Sequence, residues 1–313
     1  MPGAPTSAME TEHRPDTERL AHVAQALREL GSRYAQDIAR HSQYVKELYA
    51  PLLLARPRSG LEVVRGLAYG AHERQVLDVF RPDGAQGADV VVFMHGGAFV
   101  RGSRSTPEGV YDNVLAWFAR QNFVGVNVEY RLAPQAPYPE GARDLAAALD
   151  WVQRRIADYG GNPDRILLIG HSAGGTHAAS YACDPVLANH PCRAKGLVLV
   201  SGRLRADTDA RNPNAGAVRS YFGDDAWVYA ERSPVTHAHR CAVPVMLAFA
   251  EHDNPLLDVY ALEFAHRVAA SGGRAPRVIQ CAGHNHMSIM AHFDSGDDTL
   301  GREILAFWRT IAD

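Results

Sequence analysis

Ser172 lies in GHSAGG, residues 170–175, between the apolar run RILLI and the small-residue run THAAS. The pattern G-x-S-x-G between a strand and a helix is the sequence form of a nucleophilic serine on a sharp turn, where side chains at positions 170 and 174 would clash. The helix that follows turns its first N–H groups toward the serine and favours negative charge there. A serine hydroxyl is hardly ionised at neutral pH, so it needs a base, and the base needs an acid to orient it. Downstream, CAGHNHMSIM offers two histidines, His284 and His286, and EHDNPLLD offers Asp253, flanked by Glu251 and Asp258. Asp253 directly follows a strand-like run, where the acid belongs; capping the next helix is its other available role. Upstream, MHGGAF supplies glycines that allow close backbone approach to a carbonyl, so the N–H groups of Gly97, Ala98 and Ala173 are the expected oxyanion donors. The pair His284 and His286 could instead begin a metal site, with a third ligand from His237, His239 or His252; no metal is expected, because no further ligand spacing supports one.

These residues need elements to hold them. From about residue 60 the chain reads as two strands of a hairpin-like start, LEVVRGLAY and RQVLDVFRP, then the continuous apolar run ADVVVFM. Such runs suit strands buried on both faces. Strands and helices then alternate. A helix over about 106–120 precedes FVGVNVEY, and PEGARDLAAALDWVQRRIADYG is a helix. RILLIG is followed by a helix over 173–187, then KGLVLVSG, VPVMLAFAE, a helix over 256–271, PRVIQC ending at Cys281, and a last helix over about 298–311. About eight strands alternating with helices indicate a doubly wound α/β sheet, whose ligands bind beyond the carboxyl ends of the strands. Those ends read HGG, EYR, GHSAGG, SGR, AEHD and CAGHNH, and the polar residues concentrate there.

Ahead of the sheet, Leu20, Val23, Leu27 and Leu30 share one helical face up to Gly31, and Tyr34, Ile38, His41, Val45 and Leu48 continue the spacing until Pro51. Residues 1–15 have the composition of a disordered start, 16–58 form a helical segment, and 59–313 form the α/β domain. The helical segment fits a cap over the site or a homodimer interface.

Composition narrows the function classes. Among 313 residues, 32 basic and 35 acidic side chains leave no basic stripe for nucleic acid. No apolar run is long enough to span a bilayer, the first 20 residues lack a secretory pattern, and the cytoplasm is the expected location. Four cysteines without a CxxC pair are expected to be reduced thiols.

Three motifs resemble the hormone-sensitive-lipase-like esterases of the α/β-hydrolase superfamily: HGGAF, YRLAPQAPYPEGARD (residues 130–144) and GGNPDRILLIGHSAGG. DNPLLD resembles that group's acid loop with one residue inserted, and His171 stands where the group has Asp. HNHMSI is closer to the ending of kynurenine-formamidase-like hydrolases, and this likeness selects His286 over His284. The resemblance implies an α/β-hydrolase fold with an eight-stranded, mostly parallel sheet, helices on both faces and an N-terminal helical cap. It implies a serine carboxylesterase with the triad Ser172, Asp253 and His286, no cofactor, and a small-molecule ester as partner. Phe99, His171, Tyr221, Phe222, Leu256 and Met287 come from loops at the same sheet edge and are expected to line the pocket. An arylformamidase using the same residues, and a non-catalytic binding protein on the same fold, are the competing readings.

Overall fold

A computed structural model describes residues 14–312 of the chain. The disordered start expected for residues 1–15 lies outside the described residues as far as residue 13; Arg14 and Pro15 open the first helix, α1 (Arg14–Leu30). Pro is tolerated there because first-turn N–H groups have no helical acceptor. A 3₁₀ turn leads into α2 (Ile38–Leu54), which runs through Pro51 rather than stopping at it.

The sheet follows: β1 (Leu61–Ala68), β2 (Val76–Pro82) and β3 (Ala88–Met94), then α3 (Asp112–Arg120), β4 (Val124–Val128) and α4 (Glu140–Arg155). Next come β5 (Gly161–His171), α5 (Ala173–Cys183), β6 (Gly196–Val200), α6 (Ala215–Phe222) and α7 (Tyr229–Arg232). The chain closes with β7 (Val245–His252), α8 (Leu257–Gly272), β8 (Arg277–Asn285), α9 (Ser288–Ala291) and α10 (Thr299–Arg309). The eight strands form one sheet in the order β1-β2-β4-β3-β5-β6-β7-β8. β1 and β2 are antiparallel to their neighbours and the rest are parallel, so the expected doubly wound α/β sheet is the observed one.

Alternation along β3 explains why its stretch from Val90 to Met94 is apolar throughout. Val90, Val92 and Met94 belong to the core under α4, α5 and α8, while Val91 and Phe93 belong to the core under α1, α2, α3 and α10. All five are fully buried, as the period of two requires when both faces are covered. The apolar stripes of the N-terminal helices enter the second core: Val23, Leu27, Tyr34, Val45, Tyr49 and Leu52 are buried within this chain.

Other boundaries also differ from the sequence expectation. α3 begins at Asp112 instead of about 106, because Gly109 and Tyr111 take positive φ (85° and 77°) and break the helical path. α5 stops at Cys183, where Asp184 turns extended and caps a short 3₁₀ turn through Val186 N–H. β8 continues past Cys281 to Asn285: Gly283, at φ 74°, bends the strand without ending it, and His252 of β7 pairs with Asn285 of β8 beyond the irregularity. The four cysteines are free thiols. No helix among the described residues is long and apolar enough to cross a membrane.

Candidate functional site

Ser172 occupies the single residue between β5 and α5, at φ 55° and ψ −117°. Such a conformation costs a non-glycine residue about 1–3 kcal/mol, and surrounding contacts must impose it. Two of these are visible: Ser172 N–H donates to Val200 O of β6 (2.9 Å), and Thr176 N–H donates to Ser172 O (3.2 Å). The flanking glycines are sterically required. A Cβ on Gly170 would lie 2.4 Å from Gly174 O, and one on Gly174 would lie 2.1 Å from Met94 O.

His286 Nε2 is 3.0 Å from Ser172 Oγ, and His286 Nδ1 is 2.6 Å from Asp253 Oδ1. The paired strand ends explain how two residues 33 positions apart meet. β7 and β8 pair as far as His252 and Asn285, so the next residue of each chain segment is Asp253 and His286. Ser201 Oγ donates to Asp253 Oδ2 (2.6 Å) and Ala250 N–H to the same oxygen (3.1 Å). Burial disfavours the charge on Asp253, but His286, Ser201 and the Ala250 N–H outweigh it and hold the carboxyl below its ordinary range. Asp253 does not cap α8, whose N-cap residue, Leu256, makes no side-chain bond. Glu251 accepts from Gly283 N–H (2.7 Å), and Asp258 lies in the first turn of α8. His284 turns away from Ser172: its Nδ1 meets Ser288 Oγ (3.2 Å) and its Nε2 meets Asp297 Oδ2 (3.4 Å).

Gly97 and Ala98 face Ser172 across a shared cavity, and Ala173 is the first residue of α5, so its N–H has no helical acceptor. Gly97 sits at φ 147°, where a Cβ would fall 1.9 Å from Arg101 O; Ala98 and Phe99 also take positive φ (49° and 69°). This loop hangs on a buried carboxylate that sequence reasoning passed over. Glu129, after β4, accepts from His95 Nε2 (2.8 Å), Ser103 Oγ (3.0 Å), Arg104 N–H (3.1 Å) and the Arg74 guanidinium. His95 Nδ1 meets Gly96 O (2.7 Å). Burial opposes the charge on Glu129, yet His95, Arg74 and Arg104 N–H prevail and push its carboxyl down to about 2. Its signal was the acidic residue at the strand end EYR. Ser201, at the strand end SGR, was missed in the same way.

The cavity holds about 330 Å³. α2 forms one wall through Ile38, Ala39, Ser42, Gln43 and Lys46, and Arg101, Asn214, Asn254 and Met287 complete the rim. Of the six expected pocket residues, His171 and Met287 line it. His171 is buried, and its ring bridges Tyr111 Oη (3.1 Å from Nδ1) and His286 O (3.0 Å from Nε2). Burial, then the neighbouring His286, push its pKa well below the ordinary histidine value. The neutral ring therefore donates from Nε2 to the carbonyl and accepts at Nδ1 from the phenol. The other four do not line the cavity. Phe99 stacks on Tyr221 (centroids 4.6 Å apart) and meets Phe222 edge-on (5.4 Å), an apolar cluster that is stable buried on itself. Leu256 packs against the core beneath α8.

The BD-FAE family model matches residues 77–187, which include Gly97, Ala98 and Ser172. Carboxylesterase NlhH of Mycobacterium tuberculosis is 44% identical over 98 residues, 30% of this chain and 28% of that one. The chain spans about a quarter of the length of most of the curated relatives it matches and 57% of esterase LipQ of Mycobacterium tuberculosis, to which it is 26% identical. EstE1, a thermostable carboxylesterase cloned from a metagenomic library, superposes with TM-score 0.66 at 26% identity, covering 88% of this chain and 98% of its own. An esterase from Pyrobaculum calidifontis shares the fold, with TM-score 0.67 at 24% identity over 92% and 96%. A mostly parallel eight-stranded sheet with a strained serine after β5 defines an α/β-hydrolase. With HGGAF, YRLAPQAPYPEGARD and GHSAGG on that fold, the chain resembles the hormone-sensitive-lipase-like esterases.

The long motif YRLAPQAPYPEGARD has a structural role here. Asp144 is buried and takes Arg131 side-on through Nε and Nη2, with Arg131 N–H on the same carboxylate (2.9 Å). That clamp folds the segment between β4 and α4 back on itself, behind the loop of Gly97 to Phe99; Ala133 N–H donates to Phe99 O (3.0 Å).

Proposed function

We propose that the chain is a serine carboxylesterase acting on small to medium carboxylic esters. Ser172 Oγ attacks the ester carbonyl while His286 Nε2 takes its proton, and Asp253 holds the ring and balances the imidazolium. The N–H groups of Gly97, Ala98 and Ala173 receive the oxyanion. His286 returns the proton to the departing alcohol, leaving an acyl-serine. Water then attacks by the same steps, with His286 as its base. α2 serves as a cap wall that limits the acyl or alcohol portion.

One observation carries this reading: the unbroken path Ser172 Oγ–His286–Asp253 opens into a cavity that also receives the turn at Gly97 and Ala98. The carboxylesterase names of the relatives favour an ester over other acyl compounds. A chain-length series of p-nitrophenyl esters is the direct test. A cavity of about 330 Å³ predicts a preference for short acyl groups. Ser172→Ala is expected to abolish turnover and labelling by a fluorophosphonate; retained turnover in that variant would sink the assignment. Faster turnover of N-formylkynurenine than of any ester in the series would move it to a formamide hydrolase.

A further inference from the structure

The second histidine of the HNH stretch does not join the serine, yet it is not idle. His284, His292 and Asp297 bring three ligating atoms within 4.8 Å of one another. The geometry points to a divalent transition-metal site, of the zinc class, formed by the Nε2 atoms of His284 and His292 and by Asp297 Oδ2.

Four observations support it. The donor set is two imidazoles and a carboxylate, which suits zinc or cobalt rather than magnesium or calcium. Both rings are fixed from behind by one residue: His284 Nδ1 meets Ser288 Oγ (3.2 Å), and His292 Nδ1 meets Ser288 O (3.1 Å). Metal-ligating histidines characteristically anchor the other ring nitrogen in this way, which leaves Nε2 unprotonated and pointing at the metal. Asp297 is similarly divided. Its Oδ1 accepts from Thr299 N–H (3.0 Å) and Oγ1 (2.7 Å), so Oδ2 is the oxygen left to face the histidines.

The spacing of His284 and Asp297 also fits. His284 Nε2 and Asp297 Oδ2 are 3.4 Å apart, and donors on neighbouring corners of a zinc tetrahedron, at bonds of roughly 2.0–2.1 Å, lie roughly 3.3–3.4 Å apart. Finally, there is an entry path. His292 is fully buried and His284 nearly so, but the Asp297 side chain is 32% exposed, which admits the ion and a water in the fourth position. Leu300 N–H lies 3.4 Å from His292 Nε2, beyond the usual range of such bonds, and a metal would replace the direct contact of His284 Nε2 with Asp297 Oδ2. His286 is outside the set, because its two nitrogens are taken by Ser172 and Asp253. The bound ion would join the end of β8 to the turn before α10.

The test uses the full chain, stripped with a chelator and titrated with Zn²⁺ by calorimetry, and with Co²⁺ by visible absorption. Wild type is expected to bind one Zn²⁺ per chain and to give the intense ligand-field absorption of low-coordinate cobalt. Asp297→Asn and His284→Gln, both close in shape to the native residues, are expected to weaken binding at least about 10–100-fold. Because the chain has 15 histidines, His237→Gln serves as a surface control that leaves the affinity unchanged. Circular dichroism verifies that each variant is folded. Equal affinity in wild type and Asp297→Asn, or a cobalt spectrum no stronger than that of the hydrated ion, overturns the site.

Discussion

Glu129→Gln tests whether the loop of Gly97 and Ala98, the proposed oxyanion donors, depends on a buried charge. The carboxylate faces the donors of His95, Arg74, Ser103 and Arg104, and its side chain is only 5% exposed. Its carboxyl is pushed from the ordinary 4.5 down to about 2, which corresponds to about 3 kcal/mol of folding free energy at neutral pH. The sign follows from the depressed value. The stabilisation is complete above about 4.5, the unfolded-state value, and disappears as pH falls through about 2. Glutamine keeps one acceptor but presents an NH₂ group to remaining donors, so the variant should lose about 3 kcal/mol near pH 7. The difference from wild type should shrink steadily below pH 4.5. Denaturant unfolding of both proteins from pH 7 to pH 2.5 measures this difference directly, and other carboxylates cancel in it. Because His95 also meets Gly96 O, the released loop should lower kcat by roughly 10²-fold, the scale of one lost oxyanion donor. A stability difference below about 1 kcal/mol, or one independent of pH, refutes the reasoning.

Three further outcomes follow from the geometry. Ser172→Gly should be inactive yet more stable than Ser172→Ala, by about 1–2 kcal/mol in thermal unfolding, because only glycine adopts φ 55°, ψ −117° without strain. Gly174→Ala should destabilise by more than about 3 kcal/mol or prevent soluble expression, since its Cβ would stand 2.1 Å from Met94 O. Ser201→Ala removes one charge-assisted bond to Asp253 and leaves the Ala250 N–H in place; kcat should fall roughly 10-fold with KM nearly unchanged, as steady-state kinetics will show.

What the sequence revealed and what it withheld divide along physical lines. The central strands under two helical layers carry unbroken apolar stretches, Val90–Met94 in β3 and Leu197–Val200 in β6, and the turn at Ser172 needs glycines where backbone meets backbone, so both are written locally. The candidate Ser172–His286–Asp253 path needed one further hint, because His284 and His286 are chemically identical in a one-dimensional reading. Gly283 looks like the end of a strand, and only the pairing of His252 with Asn285 shows that β8 continues. Glu129 and Ser201 were obscure because their partners arrive from distant segments, His95 and Asp253. Phe99, Tyr221 and Phe222 have the residue types of pocket walls, but aromatic rings that can reach one another bury themselves together, and the wall is instead contributed by α2.

β8 is the outermost strand of the sheet on its side, and α1 packs beside it. The residue that follows it is the histidine bonded to Ser172. A sheet margin is where a protein first opens on warming, well before its centre yields. The relation between His286 and Asp253 is therefore as durable as this margin, while Ser172 rides on the rigid middle of the sheet. Heat should silence the protein in two stages: reversible loss of turnover as the β8 end separates, then collapse of the whole. The helices that precede the sheet act as a brace on that margin, and their loosening would be felt at the serine without any residue around it having moved.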